Sequence, residues 1–132
     1  RRVVLGRGVL ADMYILAGIY SECQAIVNKK LKNDIKAKAR RLLSVSQKYG
    51  GSIPTLIDEK YRWAYLLLVE LQVSHRSPET SERAGDFAAL TARKYKIDPV
   101  GAPYIRDIVS ALRAGGIHQI RSRSSGGYWW QD

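Results

Sequence analysis

Apolar residues recur every three or four positions along most of the chain, the spacing that predicts helices. Over residues 9–27 they form two stripes, one of Val9, Met13, Leu16, Tyr20, Cys23 and Val27 and one of Ile15, Ile19 and Ile26. A helix apolar on two sides must be covered on two sides. It therefore runs through the middle of a domain, or a second subunit supplies the cover. Residues 29–48 predict a second helix of another kind. Leu31, Ile35, Leu42 and Val45 fall on one side, with Lys29, Lys32, Lys36 and Arg40 roughly opposite. Lys38 intrudes on the apolar side, and Tyr49-Gly50-Gly51-Ser52 stops the helix.

Three further helices are expected. One spans 55–73, with Thr55 and Asp58 spaced as a capping box behind Pro54, and with Tyr61, Trp63, Tyr65 and Leu66-Leu67-Leu68 as core material. The next starts at Ser77-Pro78 as N-cap and N1 and turns Ala84, Phe87, Leu90, Thr91 and Tyr95 inward. The last runs from Pro103 to Gly115-Gly116, with Tyr104, Ile105, Ile108, Val109 and Leu112 inward. Residues 117–121 and 128–130 then pair as a short β-hairpin across Ser124-Ser125-Gly126-Gly127. The expected fold is mostly α: a helical bundle of about five helices with a long basic N-terminal helical region and a short C-terminal hairpin. The expected division is a basic helical region at 1–50, which becomes the nucleic-acid-wrapping part on the resemblance given below, and a helical bundle ending in the aromatic hairpin at 51–132.

Charge changes this picture. The 132 residues carry 22 Lys and Arg against 12 Asp and Glu, a net charge of +10. Such an imbalance points to a polyanion, most simply nucleic acid, with an anionic membrane surface as the weaker option. The excess is uneven, with 13 bases and 5 acids in residues 1–66 and 9 and 7 in residues 67–132. The stretch 9–27 contains Asp12, Ser21, Glu22 and Gln24, which makes it a poor membrane span.

Enzyme chemistry has little to stand on. Cys23 is the one cysteine, and His75 and His118 lack a second ligand at metal spacing. No nucleophile elbow, zinc-protease motif or phosphate loop is present. Asp58/Glu59 and Glu79/Glu82 sit in first turns, where acids offset the helix dipole. The expectation is a non-enzyme without metal, cofactor or small-molecule substrate.

The basic helix is the strongest functional feature. Residues 29–48 hold eight Lys and Arg and one acid, Asp34, over about 30 Å of helix. Cations at this spacing suit a phosphate ridge, whereas a merely solvated face usually mixes signs. The candidate nucleic-acid-binding residues are Arg1, Arg2, Arg7, Lys29, Lys30, Lys32, Lys36, Arg40, Arg41 and Lys48. Because Lys dominates, contact with the backbone of the nucleic acid, without sequence preference, is the expectation.

Gln47-Lys48-Tyr49-Gly50, Pro54, Tyr61 and Tyr65, followed by Tyr95, Asp98-Pro99, Ile105, Asp107, Ile108 and Val109, resemble the major coat proteins of filamentous and rod-shaped archaeal viruses. The likeness covers roughly residues 29–113. It implies a structural subunit that wraps double-stranded DNA in the A form, through Lys29, Lys30, Lys32, Lys36, Arg40 and Arg41, and polymerises into a helical nucleocapsid within a virion. It also implies self-assembly or pairing with a related coat subunit, and is compatible with a membrane envelope.

A second, local resemblance is to winged-helix DNA-binding domains. Residues 105–112, then Arg113, Gly116, Ile117, Ile120 and Gly126-Gly127-Tyr128, look like a recognition helix running into a wing. That likeness implies a transcriptional regulator with Tyr104, Arg106 and Ser110 in the major groove and Arg121 and Arg123 on phosphates. A third reading is a protein-interaction module whose charge serves only solubility.

Overall fold

The computed structural model of the chain describes the backbone of residues 7–52 and 56–132, and the side chains of residues 28–52 and 56–132. The expectations placed on Arg1, Arg2, the side chain of Arg7, the two apolar stripes of 9–27 with Cys23, and the Pro54-Thr55 cap lie outside the described residues. The chain forms two compact units, Arg1–Leu31 and Lys32–Asp132.

Helix α1 (Arg7–Tyr49) takes the place of the first two expected helices. Nothing between Ala25 and Leu31 breaks a helix, since neither Gly nor Pro occurs there. It ends where Gly50 adopts a left-handed φ of 56°, followed by a single 3-10 turn, Gly50–Ser52. In the second unit its buried side is Ile35, Ala39, Leu42 and Ser46, the i, i+4, i+7, i+11 stripe of one face. Lys38, the apparent intruder, is exposed.

Helix α2 (Glu59–Ser74) is the centre of this unit, buried without interruption from Trp63 to Leu71. Its N-cap is Asp58, whose carboxylate accepts from the Lys60 N–H at 3.4 Å. After it, Ser77 and Thr80 close a capping box around a second 3-10 turn, Pro78–Thr80. The chain then turns extended as β1 (Glu82–Arg83) before α3 (Ala84–Tyr95). The expected helix from Ser77-Pro78 thus begins at Ala84, because that cap serves only one turn.

Helix α3 buries Ala84, Phe87, Ala88, Thr91 and Ala92, while Leu90, expected inside, is 50% exposed. It ends at Lys96, a non-glycine residue in the left-handed region with φ 56°. Helix α4 (Ala102–Ala114) starts behind Gly101, with Pro103 in its first turn. Its buried residues are Ile105, Ile108, Val109, Ala111 and Leu112, and Tyr104 is half-buried.

Strands β2 (Ile120–Ser122) and β3 (Gly127–Trp130) form the expected hairpin, in the register Ile120↔Trp130, Arg121↔Trp129, Ser122↔Tyr128. The sheet has a third strand that the sequence pattern did not suggest. β1 lies on the other side of β3, giving the antiparallel order β1-β3-β2 with Glu82↔Tyr128 and Arg83↔Gly127. Trp130, 1% exposed, fills the core beside Ile117, Ile120 and Tyr128. The terminal aromatics therefore close this domain's own core. Mostly helical with a small three-stranded antiparallel sheet, the described chain has four α-helices in place of about five.

Candidate nucleic-acid interface

The roll of α4 follows from its apolar residues. With Ile105, Ile108, Val109 and Leu112 turned into the core, Pro103, Arg106 and Ser110 are exposed on the outward face, and Asp107 and Arg113 sit half-buried at its edges. Tyr104 is drawn toward the protein, where burial, and then the charge of Glu59, push its phenol up from the usual tyrosine value.

The second-unit part of α1 lies beside this helix. Lys32 Nζ is 4.0 Å from Asp107 Oδ1. Gly115 faces Ala39 and the Lys36 carbonyl, and Gly116 faces the Arg40 guanidinium. The first of these contacts lies midway along α4 and the others just past its C-terminal end, so residues 32–40 of α1 approach one edge and the end of α4. Part of the basic edge of α1 expected from the sequence is thereby brought to the Asp107 side of α4. Arg40 also lies over the C-terminal end of α4, where a cation is favoured by the helix dipole.

Of the expected basic residues, Lys36, Arg40, Arg41 and Lys48 are exposed, and Lys32 is half-buried at its pair with Asp107. At 100° per residue Lys32, Lys36 and Arg40 share the edge beside α4, while Arg41 and Lys48 lie on the far side of α1. Lys48 sits over the ring of its neighbour Tyr49, 5.2 Å from the centroid. Lys29 and Lys30, also exposed, belong to the first unit.

The loop joining β2 to β3 is exposed from Arg123 to Gly126, and arginines brace it. Arg83 donates from Nε and Nη2 to the Ser125 carbonyl at 3.1 and 3.0 Å. Arg123 donates to the Pro78 carbonyl at 3.2 Å. Arg113, at the end of α4, donates to the Ile120 carbonyl and to Ser122 Oγ, both at 3.0 Å, with its guanidinium over the Tyr128 ring. Sequence reasoning missed the bracing by Arg83 and Arg113: Arg83 fell inside a predicted helix, and the one signal for Arg113 was its place at the end of another. Arg121 on β2 is exposed as well. Between the loop, the start of α3 and α4 opens a notch of about 450 Å³, with Arg83, Asp86, Arg106 and Ser125 on its walls.

A second polar cluster holds α3 against α2. Glu70, 7% exposed amid the buried run of α2, accepts from Lys94 Nζ at 3.0 and 3.1 Å and from the Tyr95 hydroxyl at 2.7 Å. A buried carboxylate requires such partners. Burial, and then the hydrogen bond to Glu70, raise the Tyr95 phenol far above its ordinary value. Next to it the Tyr65 hydroxyl donates to the Gly50 carbonyl at the end of α1.

Among the described residues no group of three His, Cys, Asp or Glu side chains is placed to hold a metal ion. None of the helices searched there is long and apolar enough to cross a membrane. No known protein family, no curated protein and no solved structure matches the chain.

Proposed function

We propose that residues 59–132 are a winged-helix DNA-binding module, with α4 as the helix that enters the major groove and the β2–β3 loop as the wing. The single observation that carries this reading is the strand order β1-β3-β2 around α3 and α4. It sets a braced, exposed loop beside the outward face of an amphipathic helix, which is the arrangement a groove-reading helix needs. An α-helix is about 10–12 Å across with its side chains, which fits the roughly 12 Å wide major groove of B-form DNA, and the 13 residues of α4 give about 20 Å to lie along it. The deep, narrow major groove of an RNA duplex does not admit side chains in this way, so the partner is duplex DNA.

Arg106 and Ser110 face the bases, and Arg121 meets phosphate from the wing. Lys36 and Arg40 on α1 add phosphate contacts beside α4, which gives the most basic helix a place in the same interface. Exposed lysines and arginines would serve a coat subunit equally well, so they do not choose between the two resemblances. The sheet and its loop favour the regulator.

The test is binding of the whole chain to a fluorescent duplex of mixed sequence across a salt series, with the same mixture viewed by electron microscopy. Discrete complexes are expected, with micromolar dissociation constants and a log–log salt slope of about −3 to −5. Continuous filaments of uniform width would favour the coat subunit instead. Salt-insensitive or absent binding would remove the DNA reading.

A further inference from the structure

The outward stripe of α4 is Pro103, Arg106 and Ser110, with Asp107 half-buried at its edge. One of the four is an acid. On a surface that meets phosphates a carboxylate costs affinity. Its partner Lys32 stands at 4.0 Å, and the Asp107 and Lys32 side chains are 50% and 42% exposed. Exposed pairs at such a distance contribute little to stability. Glu70 on α2 shows what a structural carboxylate looks like in this protein, enclosed and held by three hydrogen bonds.

A carboxylate only accepts hydrogen bonds. In the major groove it is repelled by the acceptor atoms of guanine and by thymine O4, and it pairs with an exocyclic amine, most simply cytosine N4. Arg106, the preceding residue and 100° round the helix toward the notch, has only donors and suits guanine O6 and N7. The two ask for complementary edges. Lys32 offsets the acid's repulsion from phosphates while the protein is free.

We propose that Asp107, half-exposed at the edge of the outward face of α4, selects duplex DNA by sequence, accepting a hydrogen bond from a cytosine amine at one position of the site. This rests on the winged-helix reading and deepens it: the partner is a duplex with a G·C-containing site, not DNA at large. Asp107 is a specificity residue, which lowers affinity for DNA in general and restores it where the amine is present.

The experiment is selection of bound duplexes from a random-sequence pool by the full chain and by its Asp107→Ala and Asp107→Asn variants. The wild type should enrich a motif with cytosine fixed at one position, preferred there by roughly tenfold. Asp107→Ala should lose the preference at that position alone. It should also bind unselected DNA more tightly, with a salt slope steeper by about one as Lys32 becomes available to phosphate. Asp107→Asn should move the preference to adenine, the base an amide pairs with; it keeps the side-chain shape, so it decides the matter even if the alanine variant folds poorly. Lys32→Gln should weaken binding to all sequences alike. Enrichment of one motif by wild type and both variants would overturn the proposal, as would tight binding without any motif. Absence of duplex binding by the wild type would overturn the winged-helix reading itself, and this inference with it.

Discussion

Gly115 and Ala39 touch where α4 ends beside α1. A Cβ built on Gly115 would lie 2.5 Å from the Ala39 Cβ and 2.5 Å from the Lys36 carbonyl. No real side chain tolerates that approach, so the absence of one at Gly115 lets α1 lie against the end of α4. The approach of the basic edge to the Asp107 side of α4 depends on this contact.

Gly115→Ala should therefore destabilise the fold by about 2 kcal/mol, lowering the melting temperature by roughly 5–10 °C. Gly85→Ala, in the first turn of α3 where the nearest atom is 3.8 Å from the new Cβ, should be neutral or stabilise by up to ~1 kcal/mol. Thermal unfolding followed by circular dichroism compares them directly. Equal melting temperatures would mean that the α1–α4 contact is not as tight as described.

Glu70→Gln should cost about 2–4 kcal/mol, since it leaves Lys94 and Tyr95 facing an amide in a buried setting. Denaturant unfolding at neutral pH measures it. A loss below about 0.5 kcal/mol would mean that Lys94 simply turns to solvent.

Stability should decline as the pH rises above about 10. The Tyr95 phenol titrates higher in the folded protein than in the unfolded chain, so from that pH upward the folded state holds the proton that the unfolded state has lost. Its contribution is complete below the unfolded value and fades as the pH climbs toward the folded one. Tyr65 and Tyr104 shift in the same direction. Tyr95→Phe should flatten the alkaline limb of a stability–pH profile; an unchanged limb would assign it to other groups.

Charge removal should depend on position around α1. Lys36→Gln with Arg40→Gln, beside α4, should weaken binding to any duplex by about tenfold near 0.1 M salt and make the salt slope shallower by about two. Arg41→Gln with Lys48→Gln, on the far side, should change both much less. Equal effects from the two pairs would point to diffuse attraction, or to DNA wrapped around the helix as in the coat-subunit expectation.

The proposed wing should depend on the arginines that brace it from within the fold. Arg83→Gln removes both donors to the Ser125 carbonyl and should weaken duplex binding several-fold while leaving the melting temperature within a few degrees. Should Arg83→Gln bind as wild type does, the loop is held by Arg123 and the backbone alone.

Helical periodicity located α3 and α4, and with them most of the core, because each buries one apolar face against a common centre. Tyr128 and Trp130 marked the hairpin by the same logic at period two. The two-residue strand β1 left no pattern: Glu82 and Arg83 are both charged, and what makes them a strand is the edge of β3 beside them. Sequence likewise marked the cations of α1 and the outward residues of α4, but as separate features about 70 positions apart along the chain.

What the sequence by itself determined is therefore local: which segments are helical, which faces are apolar, where the charge lies, and that the ending is aromatic. These follow from propensity and periodicity, which act over one or two turns. Only the tertiary structure decided that α2 is the buried centre, that Glu70 is an anchor, that three strands form one sheet, and that Lys32 meets Asp107 while Lys36 and Arg40 meet the end of α4 at Gly115 and Gly116. Those facts depend on close approach between distant segments, Gly115 against Ala39 above all, and no short-range pattern encodes which surfaces will meet.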